Sequence, residues 1–160
     1  MSKHTISILV NDQPGVMQRV SGLFGRRGFN IESITVGASE EPGLSRIVIV
    51  TTGDDRTMEQ VQKQLYKLID VIKVVDVSAS PMVGRELGLI KVNAEPSLRP
   101  EILGIVDTFR AAVVDIGPST LIVQVVGDSE KIDAMVQLLQ PYGIRELART
   151  GVTAMARGSR

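Results

Sequence analysis

Val10-Asn11-Asp12-Gln13-Pro14-Gly15-Val16, answered one helix later by Gly28-Phe29-Asn30-Ile31-Glu32-Ser33, is the stretch on which the reading of this chain turns. It closes a run in which Ile6, Ile8 and Val10 alternate with Thr5, Ser7 and Leu9, the period of a strand with one face in a core. Pro14 and Gly15 then turn the chain into a segment where Val16, Val20, Leu23 and Phe24 follow helical spacing. Gly28 stands where a helix ends in a left-handed cap, so the first helix stops near Arg27.

Working outward, Asn30 to Ala38 and Leu44 to Thr52 read as strands joined at Glu40-Glu41-Pro42-Gly43, a Pro-Gly turn. Met58, Val61, Leu65, Leu68 and Ile69 restore a helical stripe, and Val71 to Val77 is a β-branched strand. Strand, helix, strand, strand, helix, strand is the order of the ferredoxin-like fold. After Ser78-Ala79-Ser80-Pro81, read as a linker, the order starts again with Leu87 to Val92. Ile102, Ile105, Val106 and Phe109 mark a helix, and Val113 to Ile116 and Leu121 to Val126 a hairpin about Gly117-Pro118. Ile132, Met135, Val136 and Leu139 mark a second helix, and one last strand is expected between Ile144 and Met155. The expected fold is therefore α+β, two ferredoxin-like βαββαβ domains at residues 1–78 and 79–160, with Arg157-Gly158-Ser159-Arg160 as a frayed tail.

Composition removes several function classes. Eighteen basic residues balance eighteen acidic ones without a long single-sign block, which argues against a nucleic-acid partner. No cysteine is present, so disulfide and thiolate chemistry are out and a cytoplasmic location is expected. No signal core follows Met1-Ser2-Lys3-His4, and no apolar run approaches the roughly 20 residues of a membrane span. Gly25-Arg26-Arg27-Gly28 has the form of a KH-type backbone clamp, but it closes a helix and enters a strand instead of joining two helices. The third strands, Arg46-Ile47-Val48-Ile49-Val50 and Leu121-Ile122-Val123-Gln124-Val125, lack the aromatic residues on which an RNA-recognition motif stacks bases.

Catalysis has no obvious seat either. The single histidine, His4, lies beside the terminus, and Glu59, Asp70 and Asp76 read as scattered solvated carboxylates. Gly22-x-x-Gly25-x-x-Gly28 lacks dinucleotide spacing. Two domains of about 80 residues would each be marginal alone, which favours an oligomer.

The turn itself suits a small amino acid. Such a ligand needs donors for its carboxylate, an acceptor for its ammonium and a sleeve for its side chain. Amides of Gly15, Val16 and Met17 at a helix start supply donors, and Gly15 leaves room for close approach. Asp12 or the Asn30 amide oxygen would take the ammonium. Alone, Asp-x-Pro-Gly is an ordinary turn before a helix; Asn30-Ile31 opening the next strand raises it to a site. In the second half Ala94-Glu95-Pro96-Ser97 stands in its place, so only the first half carries the signature.

Asn11-Asp12-Gln13-Pro14-Gly15-Val16 with Gly28-Phe29-Asn30-Ile31-Glu32-Ser33 resembles an ACT domain. Phe24 to Ser33, Leu44-Ser45-Arg46, Lys63-Gln64-Leu65-Tyr66-Lys67-Leu68, Arg85 to Val92, Gly143-Ile144-Arg145-Glu146 and Arg149-Thr150-Gly151 extend the likeness. Together they resemble the small, regulatory subunit of acetohydroxyacid (acetolactate) synthase over nearly the whole chain. That resemblance implies a non-catalytic homodimer that activates a separate catalytic large subunit and confers feedback inhibition, typically by valine. It also implies that thiamine diphosphate, Mg and FAD reside on the catalytic partner, with no cofactor on this chain. The effector would lie between two copies, with Asp12, Gly15, Val16 and Met17 of one facing Asn30 and Ile31 of the other. A stand-alone amino-acid sensor acting on another enzyme is the alternative.

Overall fold

The computed structural model describes residues 2–158, and in it the first alternating run forms β1 (Ser2–Asn11), an inner strand of a four-stranded antiparallel sheet. Two helices, α1 (Val16–Arg26) and α2 (Asp55–Leu65), connect β1 to β2 (Ile31–Ala38) and β3 (Leu44–Gly53) to β4 (Val71–Asp76). The sheet order is β2-β3-β1-β4, which is the ferredoxin-like arrangement. Ile6, Ile8 and Val10 of β1, Ile47 and Ile49 of β3 and Val74 of β4 meet Val20 and Phe24 of α1 and Met58, Val61 and Leu65 of α2 in one aliphatic core. Each of these large side chains stabilises the fold by about 1.5–3 kcal/mol through removal from water. Phe29 sets its ring edge-on to Phe24, 6.0 Å between centroids, and so fixes where the chain leaves α1.

The two edges of this sheet differ. On β4, the Tyr66 hydroxyl accepts from the Val74 N–H at 2.9 Å and donates to the Val74 carbonyl at 3.3 Å, so a side chain occupies edge groups that another strand would use. On β2, β3 is the only strand partner among the described residues.

Three elements depart from expectation. His4 lies within β1, its side chain only 13% exposed, with Nδ1 2.8 Å from Asp76 Oδ2. Asp76 also accepts from the Ser78 N–H, and Asp70 pairs with Arg19, so neither carboxylate is simply solvated; Glu59 is, paired at the surface with Lys63. The expected linker is ordered structure: Val77–Ala79 is a 3-10 turn, and Val77 is buried with Val48 and Ala154.

The expected single last strand is two, β8 (Ile144–Arg149) and β9 (Thr153–Ala156). The chain divides after Val83, and from Val152 onward it returns to the first unit. There the Val152 N–H donates to Ser33 Oγ at 2.8 Å and the Arg157 N–H to the Pro81 carbonyl at 2.9 Å. Arg157 is thereby anchored, whereas Ser159 and Arg160 of the expected tail lie outside the described residues.

The second unit, Gly84–Gly151, repeats the fold with most of β5 (Met82–Asn93), α3 (Arg99–Thr108), β6 (Ala112–Ile116), β7 (Thr120–Gly127), α4 (Ser129–Leu139) and β8 in sheet order β6-β7-β5-β8. Its core gathers Ile90, Val92, Val123, Val125, Ile102, Val106, Ile132, Met135 and Leu139. At the start of α4 lies Glu86, 7% exposed, which accepts from Arg149 Nε at 2.8 Å; Arg149 Nη1 reaches Asp133 at 2.7 Å. The hydrogen bond that Arg149 donates to Glu86 is the chief cause holding the Arg149 pKa above its ordinary value, against burial, which lowers it.

Among the described residues no helix is long and apolar enough to cross a membrane, and no cluster of three or more histidines or carboxylates offers a metal site.

Removing one partner of a buried ion pair leaves the other charge stranded. Arg149→Ala is expected to lower unfolding free energy by about 2–3 kcal/mol, the low side of the buried-pair range because the arginine is partly exposed. Urea denaturation of the variant, with Asp133→Ala as a control expected to cost well under that, checks it.

Candidate effector-binding site

Gln13-Pro14-Gly15-Val16 forms a turn closed by a hydrogen bond from the Val16 N–H to the Gln13 carbonyl at 3.3 Å. Gly15 has φ +85° and ψ −2°, the third position of a type II turn, with proline before it in the favoured second position. The same glycine caps α1 without any side-chain bond. Among the described residues the N–H groups of Gly15, Met17 and Gln18 have no acceptor, so the start of α1 presents bare donors. Val16 is different from expectation: its amide closes the turn and its side chain is 5% exposed, in the core. Its contribution to the site is wall rather than donor.

The turn opens on a small cleft of about 140 Å³, lined by Val10, Val16, Met17, Val36 and Ile47 with Asn11, Asp12, Gln13, Gly15 and Ser45 on its polar side. Asp12 is exposed, and its N–H is held by the Gly43 carbonyl at 2.9 Å while its carboxylate has no partner among the described residues. Donors, an acceptor and an apolar wall are thus joined at one end of the sheet.

Asn30 and Ile31 are not there. Ile31 pairs with Thr51 and Ala38 with Ser45, so β2 runs from Asn30 at one end of the sheet to the turn at the other. Val36 is six steps along the strand from Asn30, about 20 Å of extended chain. Within one chain the two parts of the expected site stay apart. The Asn30 carbonyl accepts from Thr51 Oγ1, which pins the backbone, while its side chain is exposed.

Sequence reading passed over Val36, Ser45, Ile47 and Arg19. The guanidinium of Arg19 pairs with Asp70 and lies 3.0 Å from where a Gly15 Cβ would stand, one helical turn on. Val36 carried a signal, an apolar residue on the edge strand that is 45% exposed. The loop that replaces the turn in the second unit is closed by its own side chain. Arg99 donates to the carbonyls of Ala94 at 3.0 Å and Pro118 at 2.9 Å, and to that of Gly117.

Fold and turn together define an ACT-type regulatory module, and residues 6–73 match the family model described as AHAS small subunit-like ACT domain. Residues 85–158 match that of the small subunit of acetolactate synthase. This chain belongs to the acetolactate synthase small-subunit family. It is 59% identical to the probable acetolactate synthase small subunit of Methanothermobacter thermautotrophicus, covering 98% of this chain and 94% of that one. It is 51% identical to the acetolactate synthase small subunit of Bacillus subtilis, covering 98% and 92%. The crystal structure of the acetolactate synthase small subunit from Thermotoga maritima superposes with a TM-score of 0.95 at 45% identity over 100% of both chains. Membership places the chain in a regulatory role in branched-chain amino-acid synthesis, beside a catalytic large subunit.

Gly15→Ala forces an L residue into left-handed backbone and drives a Cβ toward Arg19. The expected cost is about 1–2 kcal/mol, read as a lowered midpoint in thermal unfolding, whereas Gly25→Ala, which meets nothing within 4 Å, should leave the midpoint unchanged or raise it.

Proposed function

We propose that two copies of this chain pair through the open edge of β2, bind valine between them, and in the valine-free form activate the catalytic subunit. The observation that carries this reading is the division of one amino-acid site between opposite ends of β2. Antiparallel pairing of β2 with its own copy about a two-fold axis brings the Asn30 end of one strand to the Ala38 end of the other, beside the turn and its cleft. The capped edge of β4 leaves β2 as the edge for that addition.

In this arrangement the carboxylate of valine accepts from the Gly15 and Met17 N–H groups, its ammonium donates to Asp12 or to the partner's Asn30, and its isopropyl group lies along Val36 and Ile47. The effector touches both chains, so its binding energy favours one mutual arrangement of the pair, and the catalytic subunit responds to that arrangement. Where valine weakens binding of the catalytic subunit, linkage requires that the catalytic subunit weaken valine binding by the same factor. Thiamine diphosphate, Mg and FAD belong to the catalytic subunit, and the assembly works in the cytoplasm.

The test is acetolactate formation by a cognate catalytic subunit with and without this chain across a valine titration. Stimulation that valine reverses is the expected result. Stimulation without a valine response removes the effector site, and no stimulation returns the chain to a stand-alone sensor. Asn30→Ala is expected to raise the valine concentration for half-inhibition at least tenfold while retaining most stimulation.

A further inference from the structure

The structure carries a second recess, between the end of α1 and the exposed face of α2, that the effector site does not use. Its volume is about 350 Å³, and Arg27, Phe29, Arg56, Thr57, Gln60 and Gln64 line it. The charge is one-sided: two guanidinium groups, one hydroxyl and two carboxamides, with no carboxylate among the lining residues.

Two other arginines of this unit are matched to acids, Arg19 to Asp70 and Arg46 to Glu40, while Arg26 and Arg157 lie outside the recess and have no acidic partner among the described residues. Arg27 instead donates from Nη2 to the neutral Gln64 Oε1 at 2.8 Å, which orients its head and leaves its charge in place. Arg56 makes no hydrogen bond or ion pair to any described residue. The neighbouring Asp54 carboxylate caps α2 through the Thr57 N–H at 2.8 Å and feels the Arg56 charge at longer range without forming an ion pair with it.

We propose that this groove receives an acidic segment of the catalytic subunit, with Arg27 and Arg56 gripping its carboxylates. Arginine presents a fork of donors that fits a carboxylate two bonds at a time. The carboxamides of Gln60 and Gln64, one turn apart on α2, can meet main-chain groups of an extended segment, and Phe29 offers an apolar wall. The location adds regulation: Arg27 and Phe29 lead directly into Asn30, the residue assigned above to the effector. A shift of this short segment on valine binding reaches the groove without crossing the core. The inference rests on the regulatory-subunit reading and names the surface through which that subunit acts.

The experiment compares wild type, Arg56→Glu, Arg56→Lys and Arg145→Glu with the cognate catalytic subunit, reading the concentration of this chain that gives half-maximal stimulation. Glutamate in the first turn of a helix is favoured by the helix dipole, so Arg56→Glu is expected to fold normally, checked by an unchanged thermal midpoint. The expected result is a rise of at least tenfold for Arg56→Glu, less than threefold for Arg56→Lys and less than twofold for Arg145→Glu, a control for net charge. Valine affinity of the isolated Arg56→Glu chain, measured by calorimetry, stays within twofold of wild type. Wild type should also need more chain for half-stimulation as salt is raised, with a shallower dependence in Arg56→Glu.

Stimulation by Arg56→Glu within twofold of wild type overturns the proposal while the regulatory reading stands. Binding of inorganic phosphate that Arg56→Glu abolishes, with stimulation unaltered, overturns it in favour of a small-anion site. A wild-type chain that fails to stimulate overturns both readings.

Discussion

The exit of β1 is fixed from both of its neighbours, and the candidate site depends on that constraint. The Asn11 N–H is held by the Asp70 carbonyl and the Asp12 N–H by the Gly43 carbonyl, each at 2.9 Å. One bond comes from the segment entering β4 and the other from the segment entering β3. With the strand end clamped between them, the left-handed Gly15 has one direction in which to send α1. Met17 and Gln18 then begin the helix with N–H groups that no described residue accepts. Burial of Val16 and Val20 holds the helix against the sheet, so Gly15 and Met17 stay on the lining of the cleft with Val36. The free donors at the helix start are a consequence of core packing behind them and of two backbone bonds in front.

The unequal edges of the first sheet favour completion of the proposed half-site through β2. A strand edge displays donors and acceptors that seek another strand. Tyr66 occupies those of Val74 on β4, and nothing described does so on β2. A ligand held between two β2 strands reports on their mutual arrangement, which is what a regulatory subunit without a catalytic centre of its own needs in order to influence a partner. The same strand carries Ser33, to whose hydroxyl the returning segment at Val152 is bonded, so β2 is tied through a side chain even as its outer edge is open.

The repeated architecture shows how little a fold says about a site. The second unit has the same order of strands and helices, yet the loop before α3 is filled by the Arg99 side chain, which satisfies the carbonyls of Ala94, Gly117 and Pro118. Glu86, Arg149 and Asp133 tie β5, β8 and α4 of this unit together by charge. A turn with free amides in one unit and a self-satisfied loop in the other follow from a few residues, with aliphatic cores of the same kind beneath both.

Periodicity and turn chemistry made the element order, the cores and the Gly15 turn legible, because alternation, helical spacing and a Pro-Gly pair are local properties. Ile6, Ile8 and Val10 announce a strand, and Pro14-Gly15 a turn, wherever they fold. The family likeness was legible for the same reason, being carried by contiguous motifs. Long-range pairing was not: that His4 meets Asp76, that Asp70 meets Arg19, and that Val152 returns to Ser33 are contacts between residues far apart in sequence. The break read after Ser78 moved to Val83 because Met82 packs against Val48, Val77 and Ala154 and the Pro81 carbonyl accepts from the Arg157 N–H, and no local composition records that. Sequence alone determined the turn and the Gly15 and Met17 amides at the helix start, whereas sheet pairing brought Val36 and Ile47 to the wall and turn closure took the Val16 amide away. Tertiary structure decided that Asn30 lies at the far end of the same strand, because antiparallel register separates residues along a strand by distance as well as by number.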